Sequence, residues 1–478
     1  MSEIICRALD TIDAIDRDAW NSIVSGNDIL NTHEYQRAIE RSGVNDFRYR
    51  YLLFHRQGKL VAHVSVGIFT FGIDVMLQDP LKSILARIKQ VFPSFLRITL
   101  IECGHPTALG TTFVLENEED MPEVLALLDA EMGRMARAEK TSLCAIRDIS
   151  ADDQRAFQPL LHAGYRVTPN MANTFLRLPQ ASFETYLADL VAKRRHEIRQ
   201  RIRVFQEQGC TIEKISDYGR YADDLVALWQ QTFRHAKEYQ REVLTREYFT
   251  GIAESLADRS FVLMCRKGDR PIGFTLLLDS GNTLISTYCG LDYEMNRSTF
   301  TYFVLFYRSI EEAIRMGKEW LELGITNYNP KLEVGALPEP LSIYVKALGP
   351  VTQLFFAPLL RLMSTPPSFN KRHIFNERYY ERHRITEEII VRAGGGRYAT
   401  QDVSEQGLSL LGGRPLRKRT YTIELTAPQD FTLAFTARVR SVEALPEGRF
   451  RMGLSILRMP PENEPHWQDL LRRFSAGV

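Results

Sequence analysis

The sequence predicts a multidomain chain: two successive α/β units followed by an all-β domain. Three observations carry this. At 478 residues the chain is too long for one ordinary hydrophobic core. One order of elements (helices, an antiparallel hairpin, then strand–helix–strand) is legible twice at roughly equal lengths. Near the C-terminus, strand-like runs at Thr420–Thr426, Phe431–Val442 and Arg449–Leu457 are closed by one amphipathic segment, Trp467–Phe474. The expected boundaries are 1–178, 179–350, a linker 351–376 containing Pro366-Pro367, and 377–478.

In the first unit Thr32 is placed to cap a helix over Thr32–Ser42. Tyr49–Phe54 and Leu60–Phe69 flank Arg56-Gln57-Gly58-Lys59, a hairpin signal. A helix over Met121–Lys140 leads to a strand over Ser142–Arg147, and Leu160–Tyr165 ends a helix at Gly164. The second unit opens with Phe183–Phe205, read as one long helix whose Lys193, Arg194, Arg195, Arg199, Arg201 and Arg203 form a solvated face. Leu225–Phe233 is a second helix. Ser260–Cys265 and Pro271–Asp279 form a hairpin around Lys267-Gly268-Asp269. The strand Thr283–Cys289, the helix Thr299–Gly317 and the strand Trp320–Leu323, stopped by Gly324, complete the plan.

The composition, 44% hydrophobic and 25% charged, is that of a soluble globular protein. A net charge of +1 argues against a general nucleic-acid binder, so DNA is not an expected partner. Six scattered cysteines without a C-x-x-C pattern read as reduced thiols of a cytoplasmic chain. Met1–Asp10 has neither the basic head nor the apolar run of a signal peptide. Ser83–Leu100, broken by Arg87, Lys89 and Arg97, and the short Val351–Met363 read as amphipathic core helices. A peripheral contact with the inner face of a membrane is the alternative for both. His235 and Glu238 read as a solvated helix face, His105 as part of a turn and Cys289 as core, so no metal site is assigned.

The doubled plan resembles the core of the GNAT acyltransferases. Ser182-Phe183-Glu184-Thr185-Tyr186-Leu187 with the following Lys193-Arg194-Arg195 is similar to the start of the second lobe in FemAB-like tandem-GNAT proteins. So are Tyr307-Arg308-Ser309-Ile310 with Leu321-Glu322-Leu323-Gly324, and Asn327-Tyr328-Asn329-Pro330-Lys331. This resemblance, over about 350 residues, implies an acyl or aminoacyl transfer whose oxyanion is stabilised by Lys331. Tyr328 lies close enough in sequence to relay a proton. Glu322, ending a buried-looking strand, is the candidate base. The plainer alternative has Tyr328 and Lys331 capping a loop and Glu322 paired with Lys318. The chain lacks the Q/R-x-x-G-x-G/A loop that cradles a pyrophosphate; Gly290–Asn296 stands there instead. Acyl-CoA is thereby placed in doubt as donor, and acyl-carrier protein, aminoacyl-tRNA or no donor at all stay open.

Arg378 and Arg382 form an R-x-x-x-R spacing, and Asp402, Ser404 and Gly407 a D-x-S-x-x-G spacing beyond a glycine turn at Gly394-Gly395-Gly396. Paired guanidinium groups suit a phosphate or a guanine edge. Together the two motifs resemble the PilZ domain, which implies a six-stranded barrel that binds cyclic di-GMP through these five residues. The expected function is a transferase regulated by cyclic di-GMP, with a cell-envelope or exopolysaccharide precursor as acceptor. The alternative is a non-enzymatic effector whose lobes bind a protein partner.

Overall fold

The structure, a computed structural model, describes residues 3–72, 97–235, 242–349, 374, 383–385, 389–417, 419–426 and 432–475. It divides into two compact units: Met1–Phe183, Ile198–Lys331 and Ala336–Pro367 make one, and Glu184–Glu197, Leu332–Gly335 and Ser368–Val478 the other.

The first unit holds two sheets. The N-terminal half contributes β1 (Ile4–Leu9), α1 (Arg17–Asn21), α2 (His33–Arg41), β2 (Arg48–Arg56), β3 (Lys59–Gly72), β4 (Arg97–Cys103), β5 (Phe113–Leu115) and α3 (Met121–Ala138). It continues with β6 (Leu143–Ser150), α4 (Pro159–His162), β7 (Arg166–Pro169) and β8 (Asn173–Arg177). The Thr32 hydroxyl accepts from the Tyr35 N–H and so caps α2. Gln57 and Gly58, both at positive φ, make the two-residue turn between β2 and β3 that a twisted hairpin favours.

Beyond it come α5 (Phe183–Asp189), α6 (Ala192–Glu207), β9 (Cys210–Ile215), α7 (Ala222–His235), α8 (Arg246–Leu256), β10 (Ser260–Lys267), β11 (Arg270–Ser280) and β12 (Thr283–Leu291). Then follow α9 (Tyr293–Thr299), α10 (Thr301–Arg315), β13 (Trp320–Glu322), α11 (Tyr328–Glu333), β14 (Leu337–Glu339) and β15 (Leu341–Ala347). The expected single helix over Phe183–Phe205 is thus two. At the break the Val191 N–H leaves the helical ladder and donates to the Ile374 carbonyl at 2.9 Å.

The sheets run β1-β2-β3-β4-β6-β15-β7 and β9-β10-β11-β12-β13-β8-β14. In each, an antiparallel meander is followed by a parallel strand–helix–strand crossover, β4–α3–β6 and β12–α10–β13. The next strand in each comes from the other half of the chain. β8 lies against β13, and β15 lies between β6 and β7. Strand membership therefore crosses the expected boundary at 178/179. The two lobes also share one core, in which Trp20, Tyr35 and Tyr51 lie with Phe249, Phe274 and Leu276. The helices α2 and α8 meet at Ala38 and Gly251, where even a Cβ on residue 251 would make only ordinary contact, 3.6 Å from the Ala38 carbonyl.

In the second unit β17 (Ile390–Ala393), β18 (Gly396–Ser404), β19 (Gly407–Gly412), β20 (Thr420–Thr426), β21 (Thr432–Leu445) and β22 (Arg449–Arg458) pair in a ring, closed by β18 with β19. This is the expected six-stranded barrel. β16 (His383–Arg384) adds to β18, and α12 (Glu464–Ser475) supplies buried Trp467 and Leu470 to the barrel core. Alternating burial along β20 shows one face turned inward. Residues 184–197 and 332–335 are tied to each other, with the Tyr186 hydroxyl donating to the Val334 carbonyl at 2.7 Å.

The first lobe carries a buried ion pair, Arg147 Nε to Glu102 Oε1 at 2.9 Å, both residues about 5% exposed. Removing one member strands the other's charge in the interior. Arg147→Ala is expected to cost about 3–5 kcal/mol, read as a lowered midpoint in urea denaturation, with Arg147→Ala/Glu102→Gln recovering part of the loss.

Candidate active-site cleft

β12 and β13 pair over three residues only, from Thr283↔Trp320 to Ile285↔Glu322. β12 then runs on to Leu291, whereas β13 ends and the chain turns away at Gly324 (φ +74°). The parted strands open a cleft of about 580 Å3 lined by Ser286, Tyr288 and Cys289 on one side and Glu322–Asn327 on the other. Trp229 and Phe233 of α7 and the first-lobe loop Thr107–Leu109 complete the walls. α7 comes close because residue 290 is glycine: a Cβ there would lie 2.6 Å from the Trp229 nitrogen.

The same split in the first lobe is filled. Beyond β4 the Arg147 side chain packs against Gly104, where a Cβ would meet it at 2.6 Å. Its guanidinium also donates to the carbonyls of His105 and Ala108. One lobe offers a cleft and its counterpart is packed with a buried ion pair.

Glu322 lines the cleft at the end of β13 and is 8% exposed. Its Oε1 accepts from Asn173 Nδ2 at 2.9 Å, a residue delivered by β8. Burial raises its carboxyl to about 7, with Glu339 and Asp148 adding to the rise and Asn173 and Lys331 opposing it. Lys331 lies behind the lining, 4% exposed, and its Nζ donates to the Gly324 carbonyl at 2.8 Å. Burial lowers its ammonium to about 7, against the pull of Cys289 and Glu322. Tyr328 donates its hydroxyl to the Ala172 carbonyl at 2.8 Å. Glu322, Lys331 and Tyr328 thus gather around the chain turn at Gly324, with Glu322 alone of the three on the cleft wall. The Lys318 ammonium goes elsewhere, to Asp279 at 2.5 Å.

Sequence reasoning missed Asn173, whose place depends on strand exchange, and Glu242, a buried carboxyl on the cleft wall. It set Cys289 aside as core, but the thiol lines the cleft, raised by burial to about 11 against the pull of Lys331. His235 stacks on Tyr293 at 4.0 Å on the rim; Glu238 lies outside the described residues. The described lining includes Glu242 and Glu322 and no lysine or arginine.

Gly290–Asn296, standing where a pyrophosphate loop was sought, ends β12 and starts α9. Asp292 Oδ1 accepts from the Glu294 and Met295 N–H groups at 3.1 Å each, and Oδ2 accepts from Arg270 at 2.5 Å. The helix start is therefore already satisfied by a buried carboxylate.

In the barrel, Asp402 lies opposite Arg384 and Ser409. The Ser404 hydroxyl donates to the Gly407 carbonyl at 3.3 Å. Gly407 is required by packing, since a Cβ would come 2.4 Å from the Leu454 carbonyl. Arg378 and Arg382 lie outside the described residues.

The fold and cleft define a tandem GNAT-like protein followed by a closed six-stranded barrel. A family profile, FemAB-like, described as peptidoglycan biosynthesis/recognition, matches residues 99–344, and the chain belongs to that family. A curated protein of Mycobacterium tuberculosis, "Putative 8-amino-7-oxononanoate synthase 2", is 26% identical over 307 residues. The match takes in 63% of this chain, which spans 40% of that relative's length. Among solved structures the chain is similar to FemX, with TM-score 0.47, 13% identity, and coverage of 73% of this chain and 99% of that one. It is also similar to a tandem GNAT protein from the clavulanic acid biosynthesis pathway, with TM-score 0.43, 12% identity, and coverage of 73% and 99%.

The two shifted groups pull stability in opposite directions with pH. Glu322, raised in the folded state, holds its proton where the unfolded chain has lost it, so its contribution falls as pH rises from about 4.5 to about 7. Lys331, lowered in the folded state, gives a contribution that recovers as pH rises from about 7 to about 10.5. Urea midpoints across this range are expected to lose the acid-side decline in Glu322→Gln and the alkaline-side recovery in Lys331→Met.

Proposed function

We propose that the first unit is an acyl- or aminoacyl-transferase working in the β12–β13 cleft, and that the barrel binds cyclic di-GMP and regulates it. The observation that carries the catalytic half is Glu322, a buried carboxyl titrating near neutrality on the wall of an open cleft. A general base works best with its pKa near the working pH. The acceptor amine attacks the donor's carbonyl carbon, a C–N bond forms, and the nitrogen gives its proton to Glu322. The tetrahedral oxyanion collapses, the donor's C–O or C–S bond breaks, and the leaving atom takes that proton. Lys331 acts as a positioning residue, holding the Gly324 carbonyl two residues after Glu322 and supplying positive potential from behind the wall.

The family's description supports a cell-envelope precursor as acceptor. Acyl-CoA, acyl-carrier protein and aminoacyl-tRNA are the donor classes to test; Asp292 takes up the N–H groups at the start of α9. For the regulatory half, the support is the closed barrel together with Asp402, Ser404 and Gly407 on its β18–β19 hairpin. Arg378 and Arg382 complete the motif in the sequence. Residues 332–335, which follow Lys331 directly in the chain, cluster with the barrel's unit, so ligand binding there has a covalent route to α11.

Transfer of labelled aminoacyl or acyl groups from each donor class to envelope precursors tests the first half. Glu322→Gln is expected to lower kcat by about 10²–10⁴-fold with KM little changed; unchanged turnover removes Glu322 as base. For the second half, calorimetry with cyclic di-GMP should show binding that Arg382→Ala and Asp402→Ala abolish. No heat at tens of micromolar ligand rejects the switch.

A further inference from the structure

The barrel presents a second charged surface, at the end away from the Ser404–Gly407 turn. β17 and β18 are joined there by Gly394 and Gly395, both at positive φ. Arg392 and Arg397 face each other directly across this hairpin, and both are exposed. The loop that follows β19 reads Gly413-Arg414-Pro415-Leu416-Arg417-Lys418-Arg419. It packs onto the same turn, because a Cβ on Gly394 would lie 2.8 Å from the Tyr421 ring and 3.2 Å from Leu416. Tyr421 anchors it further: its hydroxyl accepts from the Arg417 N–H at 3.1 Å, and the Arg419 guanidinium lies 5.0 Å from the ring centre. Arg438, exposed on β21, pairs in register with Thr420 beside Arg419.

Six exposed arginines, Arg392, Arg397, Arg414, Arg417, Arg419 and Arg438, are thereby gathered on one end of the barrel. Among the described residues none of them enters an ion pair. The nearby acids offset only part of this charge: Glu424 stands opposite Arg392 on β20, and Glu443 is paired with Arg451 at 3.3 Å. Like charges directly opposite across two strands destabilise a sheet, and with Glu424 offsetting Arg392 alone, folding gives no reason for Arg397 to stand opposite it. A surface of phosphates does give one, since guanidinium binds phosphate oxygens in pairs.

We propose that this end of the barrel docks on an anionic lipid surface, its arginines engaging lipid phosphates. Clusters of this size bind acidic headgroups through summed electrostatics. Of the aromatic rings at this end, Tyr398 and Tyr421 are buried in its core, and Phe450, opposite Gly412 on β22, is partly buried against it. The described surface therefore presents no row of exposed rings of the kind on which single-stranded nucleic acid stacks successive bases. The surface is separate from Asp402, Ser404 and Gly407 and stands whether or not cyclic di-GMP binds.

The test is co-sedimentation of the full chain with vesicles of phosphatidylcholine alone and of phosphatidylcholine with 30% phosphatidylglycerol, at about 50 and about 500 mM salt. The expected result is binding to the anionic vesicles at low salt only. It should weaken at least tenfold in Arg414→Ser/Arg417→Ser/Arg419→Ser and again in the independent pair Arg392→Ser/Arg397→Ser, and stay unchanged in Asp402→Ala. Thermal melts check that each variant is folded, and if the triple variant unfolds the pair decides. Failure to bind anionic vesicles, or binding that both folded variants retain, overturns the proposal. So does tighter binding to a single-stranded RNA 20-mer than to vesicles when the same substitutions abolish it.

Discussion

The first unit depends on the exchange of β8 and β15. β13 is three residues long and pairs with β12 over its whole length, so its other edge must be covered for it to persist. β8, arriving from the N-terminal half, pairs with all three residues of β13 and then supports β14. β15 does the same between β6 and β7. Neither sheet is complete without a strand from the other half, and the core shared by α2, α8 and β11 follows. The exchange also carries chemistry, because Asn173 and Ala172 reach Glu322 and Tyr328 only by riding on β8 or its approach.

Charge separates the two otherwise parallel lobes. Both have a parallel pair that parts after a few residues. In the first lobe Arg147 occupies the gap and its ion pair with Glu102 closes the interior. In the second, small or hydroxylated residues on β12 leave the gap open, and two carboxyl groups stand in its wall. A buried carboxyl without a full positive partner gives up its charge more readily than its place. Lys331 is near enough to temper that rise yet is itself buried and lowered, so neither group fixes the other as a permanent ion.

Elements governed by local chemistry were legible in the sequence. The Thr32 cap, the Gln57-Gly58 turn and the stop at Gly324 each follow from one or two residues and their neighbours. Glu322 was legible because a carboxylate ending an apolar strand is conspicuous, and the barrel because its strands and turns alternate regularly. Long-range pairing was not legible. Nothing local in Asn173–Arg177 or Leu341–Ala347 says which sheet they join, so Asn173 could not be seen as Glu322's partner. The break after Asp189 was hidden for the same reason, since what draws the Val191 N–H out of the helix is Ile374, far along the chain. Lys331 was found by resemblance, but the turn of its ammonium toward the Gly324 carbonyl belongs to the folded loop.

For the proposed transferase, one constraint on the donor is where negative charge is already placed. A transferase that grips its donor by a pyrophosphate uses free N–H groups at a helix start, where the dipole favours an anion. At α9 two of those N–H groups are taken by Asp292, which is held by Arg270 and is 3% exposed. A pyrophosphate there would have to displace a buried carboxylate from its hydrogen bonds. The cleft beyond adds two carboxyl groups and aromatic walls from Trp229, Phe233, Tyr288 and Tyr302. Such a wall favours an uncharged or cationic group, because ring faces and carboxylates both attract positive charge. In the proposed reaction, the donor would draw binding energy from its acyl or aminoacyl portion in the cleft and from carrier contacts outside it. A large macromolecular carrier can supply such contacts to the proposed transferase.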